Sequence, residues 1–233
     1  AGISIAVKID SIVACFHVVL IPTGSEDPYA LRRQAQGIIN IILKQDLPIN
    51  LYWLIASSEQ SSQILGFMKQ RLEYALTNRG FLADTVDAVL EADFSSPTDA
   101  LLRAAALEEI RKMPDIEPLS ISFKRVMNIL RSAPSVKAED VQESLLVEES
   151  ECKLYQSICG IKQTVEALVA KRDYLEALSI LAGLRWDIDN FFDKVMVMVE
   201  DDNLRKNRLA LLQNIALLFL KVADLSMLRQ TTA

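Results

Sequence analysis

"LRKNRLALLQNIALLFLKV", Leu204 to Val222, is the stretch on which the fold turns. Gln213, Asn214 and Lys221 interrupt it too often for a membrane span, yet it is too apolar to lie on a surface. On a helix, Leu204, Leu211, Ile215, Leu218 and Val222 line one side. Lys206, Asn207, Gln213, Asn214 and Lys221 gather on the other. The stretch therefore reads as a buried helix. Asp201 and Asp202 can cap it, because carboxylates accept from the first unpaired N–H groups and favour the positive end of the helix dipole. Upstream, Phe192, Val195, Met196 and Val199 stand at i, i+3, i+4 and i+7, which predicts a core stripe on a helix over 188–200.

The same periodicity extends outward. It predicts helices over 5–20, 29–44, 53–78 with an interruption around 60–66, 83–91, 97–112, 120–132, 151–171 and 174–184. The leading helix over 204–222 is carried on to 227. In "PTGSEDP" (22–28), Asp27 can cap the second helix, with Pro28 in its first turn. Gly80 follows a helix end. Residues 133–149 are polar, acidic and linker-like. No strand alternation stands out, so the predicted fold is all-α, a helical bundle.

Composition bounds the function. The chain has 233 residues, 51% hydrophobic and 24% charged, enough for one large or two small soluble domains. It opens on Ala-Gly-Ile-Ser, already inside an amphipathic pattern, as a piece of a longer protein does. Cys15, Cys152 and Cys159 are scattered and odd in number, which fits reduced thiols in the cytoplasm. A net charge of −6 argues against a general nucleic-acid coat but leaves room for a local basic patch. The cations do cluster: Lys124, Arg125 and Arg131; Lys171, Arg172 and Arg185; Arg205, Lys206 and Arg208.

Motifs for catalysis are scarce. Gly24 and Gly37 are isolated, and neither begins a phosphate loop. There is no nucleophile elbow and no CxxC. Asp10 and His17 share a helix face, and they read either as a remnant metal phosphohydrolase site or as polar residues contacting other helices. His17 is the only histidine, and a catalytic metal site usually takes three protein ligands. In "SFKRVMNILR" (122–131), Arg125, Asn128 and Arg131 share a broad face suited to phosphates or unstacked bases, or simply to solvent. Arg208 falls beside the apolar stripe of its helix. It requires a carboxylate such as Asp189 or Asp193, or an external anion. Arg205, one turn away, is freer to reach a phosphate.

The blocks "IPTGSEDPYALRRQAQGII" (21–39), "KRVMNIL" (124–130), "LRWDIDNFFDKVMVMVEDDNLRKNRLALL" (184–212) and "LFLKVADLSML" (218–228) resemble, in order, the C-terminal region of the beta subunit of bacterial-type heterotetrameric glycyl-tRNA synthetases. The resemblance runs from about residue 5 to 228. It implies the end of a histidine–aspartate-type helical domain (1–60), connecting helices (61–116) and an anticodon-binding, DALR-like helical domain (117–233) shared with arginyl-tRNA synthetase.

In that family the alpha subunit activates glycine with ATP and Mg, and the beta subunit supplies much of the tRNA binding in an α2β2 assembly in the cytoplasm. The resemblance thus implies tRNA(Gly) and the alpha subunit as partners. It implies no membrane, and no catalytic residue, metal or cofactor within this chain. Arg125, Asn128, Arg131, Arg185, Lys194, Arg205 and Arg208 are the candidate RNA contacts. Two departures stand out. Val7 stands where the family usually has an aspartate, the one expected at a histidine–aspartate metal site. Trp186-Asp187 stands where a Pro-Pro pair is often seen, and Trp186 reads either as a platform for a base or, the favoured reading, as a packing residue. The alternative function is a structural helical module for subunit assembly without independent tRNA binding.

Overall fold

Helix termini leave N–H groups unpaired, and this chain meets that cost with short acceptor side chains. Asn50 accepts from Tyr52 and Trp53, Asp173 from Glu176, and Asp201 from Asn203 and Leu204. The computed structural model describes residues 1–24, 26–56 and 58–229. Among them there is no strand, only one isolated bridge between Thr23 and Glu26. The all-α reading holds. The chain divides into two units, Ala1–Ala105 and Ala106–Ala233.

The first unit contains α1 (Gly2–His17), α2 (Leu31–Lys44), α3 (Leu51–Leu54), α4 (Ser61–Thr77) and α5 (Ala83–Ala92). α6 (Pro97–Ile110) carries the division between the units. α1 buries Ile5, Ile9, Ile12 and Phe16 against α2, which buries Ala35, Ile38, Ile39 and Ile42. α4 closes this core with Ile64, Met68, Leu72 and Leu76. Asp27 accepts from Leu31 at 2.7 Å and from Arg32 at 3.0 Å, the expected cap of α2. Gly37 lets α1 and α2 close up, since a Cβ there would stand 3.2 Å from Cε of Lys8. The helix predicted over 53–78 is two, and the break falls earlier than expected, between Leu54 and Ser61. Arg103, buried, donates to Val89 O at 3.1 Å and to Asp93 O, satisfying carbonyls at the end of α5.

The second unit contains α7 (Ile116–Ser132), two short 3-10 turns (Ala138–Asp140 and Glu143–Leu145), α8 (Glu149–Ala170), α9 (Tyr174–Ala182), α10 (Arg185–Lys194) and α11 (Asp202–Leu220), with a last 3-10 turn at Leu225–Met227. α11 runs through its centre. Leu209, Leu211, Leu212, Ile215, Leu218 and Phe219 are all buried, each contributing about 1.5–3 kcal/mol of transfer free energy. Phe219 meets Phe123 of α7 with ring centroids 4.8 Å apart.

Three expectations need correction here. α11 stops at Leu220, not 227. α10 stops at Lys194, and the next residues are not a helical core stripe. Val195 and Val197 are buried while Met196 and Met198 are exposed, and the chain bends here, with Val199 N donating to Val197 O at 3.1 Å. Finally, 133–149 is not a loose linker. Asn207 of α11 accepts from Gln142 N at 2.7 Å and donates to Gln142 O at 3.2 Å, and Asn214 donates to Ala138 O at 2.7 Å. Part of the predicted polar face of α11 therefore faces protein.

Candidate nucleic-acid interface

α7 and α10 lie side by side. Asp115 pairs with Arg185, Ser122 with Asp189, and the Arg125 guanidinium lies over the Phe192 ring, 4.3 Å from its centroid. The partners advance together along both helices, so the two run parallel. On this seam the outward residues Arg125 and Asn128 are exposed, as is Lys194 at the end of α10, while exposed Lys124 lies on the side of α7 that faces the C-terminal turn. Lys124, Asn128 and Lys194 have no polar side-chain partner among the described residues. Arg125, held over an aromatic face, is pre-organised and exposed.

The remaining candidates are already engaged. Arg131 is half-exposed and reaches Asp224 at 3.2 Å. Arg185 is largely covered. It binds Asp115, lies 3.6 Å from Asp189 and stacks on Trp186 with its carbon 4.6 Å from the ring centroid. Trp186 is 68% exposed, so it is not the packing residue expected. It presents exposed indole surface next to the guanidinium that lies over its ring.

Arg205 is not free at the surface. It donates to Val199 O at 2.5 Å and Glu200 O at 3.2 Å and pairs with Asp202. Arg208 is 7% exposed, and its partner is Glu151 rather than Asp189 or Asp193. Nε donates to Glu151 Oε1 at 2.7 Å, and a terminal nitrogen donates to Met196 O at 2.9 Å. The other oxygen of Glu151 accepts from Val147 N at 2.9 Å and Glu148 N at 2.8 Å. Both buried charges are thereby satisfied, the condition on which such a pair is tolerated. Together Arg205 and Arg208 hold the bent segment 195–201, on which Met196 and Met198 are exposed.

The residues expected apart from RNA contacts are equally plain. Asp10 and His17 are exposed on α1, and no group of three His, Cys, Asp or Glu side chains able to hold a metal occurs among the described residues. Tyr155 on α8 is held above the usual tyrosine range, first by its hydrogen bond with Cys159 and by that group's charge, then by burial and Glu143.

Comparison with known proteins gives these features a frame. The family description "Glycyl-tRNA synthetase beta subunit" matches residues 1–91, and "DALR anticodon binding domain" matches 119–225. The glycine–tRNA ligase beta subunits of Geotalea daltonii and Geotalea uraniireducens are each 43% identical over 237 residues. That of Desulforapulum autotrophicum is 39% identical over 236. Each alignment covers 96% of this chain. The chain belongs to the glycyl-tRNA synthetase beta-subunit family. It spans 34% of the length of these relatives. Within this family member, α7 from Leu119 onward, all of α10 and the segment 195–201 lie inside the stretch that matches the anticodon-binding domain. No helix among its described residues is long and apolar enough to cross a membrane.

Sequence reasoning missed Glu151, Asn207 and the Phe192 platform under Arg125. Only Glu151 carried a local signal. A glutamate three residues after the cap position reaches back to the cap's N–H, and Glu148 and Glu151 form such a box.

Proposed function

We propose that the second unit receives the anticodon arm of tRNA(Gly) as part of a glycine–tRNA ligase beta subunit. The observation that carries this reading is the match to an anticodon-binding domain over 119–225, together with exposed Arg125, Asn128 and Lys194 within it. Arg125 and Lys194 hold backbone phosphates, and Asn128 reads a base edge in the unstacked loop. Arg131 contributes from its half-exposed position. Arg185, Arg205 and Arg208 shape the surface through internal pairs. In this reading 117–233 is the anticodon-binding part, and 1–60 with 61–116 join it to the rest of the subunit. Glycylation, with ATP and Mg, takes place with the alpha subunit in an α2β2 enzyme of the cytoplasm, and this chain positions the tRNA.

The test is a salt-titrated binding assay with tRNA(Gly) and the same tRNA carrying a changed anticodon. Preference for the native anticodon supports an independent reader. Equal, steeply salt-dependent binding restricts the role to phosphate contacts. Absence of binding to both favours the second reading, an assembly module. The observation on that side is in the first unit, where Ile3, Val7 and Trp53 are exposed apolar side chains.

A further inference from the structure

Two hollows in the second unit concentrate positive charge away from the seam of α7 and α10. One, of 360 Å³, is lined by Ser120 and Lys124 of α7 and by Ser226, Leu228 and Arg229 of the C-terminal turn. The other, of 170 Å³, shares Ser120, Leu228 and Arg229 and adds Arg111, Lys112 and Glu117. The shared residues make them neighbours. Around them stand four cations and one carboxylate, in a chain whose net charge is −6. Such a local reversal of sign draws in anions against the field of the whole protein.

A second observation points to an occupant. Ser226 is 7% exposed, and its buried Oγ has no hydrogen-bond partner. Buried hydroxyls are usually paired, and an orphaned one in the wall of a basic hollow is a donor awaiting an acceptor. Lys124 is exposed and has no side-chain partner among the described residues. Lys112 is held only by Glu109, in an exposed i, i+3 pair that an incoming anion displaces at little cost. The tetrahedral oxygens of a phosphate accept at once from a hydroxyl, an ammonium and a guanidinium, and two adjoining seats suit successive phosphates of one chain.

We propose that this groove, between the start of α7 and the C-terminal turn, binds backbone phosphates of RNA. The proposal rests on the reading of the second unit as a tRNA-binding domain. It adds a contact line outside the residues predicted from sequence, carried by Lys124 and Arg229 with Ser226. These contacts anchor the RNA without reading its sequence.

The test uses the full chain. Binding of labelled tRNA(Gly), native and with a changed anticodon, is measured across a salt series for the wild type, for Lys124→Ala/Arg229→Ala and for Lys171→Ala, an exposed cation elsewhere on the unit. Inorganic tripolyphosphate is run as a competitor, and circular dichroism melts confirm that each variant is folded. The expected result is a lower affinity of the double variant for both tRNAs by the same factor. Its salt slope falls by roughly two, one for each cation lost, with Lys171→Ala unchanged and Lys124→Arg restoring most of the single-site loss. A double variant that is folded and keeps the wild-type affinity and slope overturns the groove and leaves the anticodon reading standing. Loss of tripolyphosphate competition with tRNA binding intact also overturns it, since the groove then serves a free polyphosphate. A wild type that binds neither tRNA removes the anticodon reading and the groove together.

Discussion

The head of α11 and the outward face of α7 carry the same residue type and use it in opposite ways. Arg208 is buried, with Glu151 and the Met196 carbonyl taking its donors. Arg125 is exposed, its guanidinium carbon 4.3 Å from the centroid of the Phe192 ring. One arginine builds a surface and the other offers one. The difference teaches that a basic cluster in the sequence is not by itself a basic patch. A buried carboxylate from another helix can consume it.

The sharpest way to break this comparison is Glu151→Ala. It strands the Arg208 charge in the core and uncaps α8, and a loss of about 3–5 kcal/mol is expected in denaturant unfolding. Replacing both members with apolar residues, as Glu151→Leu/Arg208→Met, is expected to cost clearly less. A single variant that unfolds like the wild type would show that Arg208 does not depend on its partner. Next in size is Arg205→Ala. Loss of charge-assisted bonds to the Val199 and Glu200 carbonyls is expected to cost about 1–2 kcal/mol, with the salt slope of tRNA binding unchanged. A slope reduced by one unit would move Arg205 to the contact side of the comparison.

Arg125→Ala should behave in the converse manner. Stability changes by at most about 1 kcal/mol, the scale of a cation–π contact. Affinity for native and changed-anticodon tRNA falls alike, and the salt slope drops by about one. Unaltered binding would remove Arg125 from the interface. The smallest effect is expected for Met196→Ser, within about 0.5 kcal/mol because the side chain is exposed. Were 195–199 a helical core stripe instead, truncating its apolar members would cost several kcal/mol, and a thermal melt separates the two cases.

Much of the fold was legible because its causes are local. The 3.6-residue periodicity marked α2, α4, α5 and α11. Asp27 and Asp201 announced the starts of α2 and α11 by the same chemistry that the structure shows. The segment "VMVMV" (195–199) misled because its i, i+3, i+4 positions are apolar under either period. The alternation of valine with methionine matches the burial, with Val195 and Val197 in and Met196 and Met198 out, but the bends that produce it were not legible. In the candidate interface, Arg125 and Asn128 were legible as an exposed face of α7. The Phe192 platform, the loss of Arg205 and Arg208 to internal pairs, and the Ser226 groove were not.

By itself, then, the amino-acid order determined which segments are helical, where most of them start, and which family the chain resembles. Each of these depends on neighbours within a turn or two, or on long blocks matched in order. Only tertiary structure decided which charges remain available. Glu151 and Arg208 are 57 positions apart, and nothing near either one names the other. In water both would be solvated. Burial removes that option, and the carboxylate that folding brings within hydrogen-bond reach determines whether an arginine faces a ligand or holds the protein together.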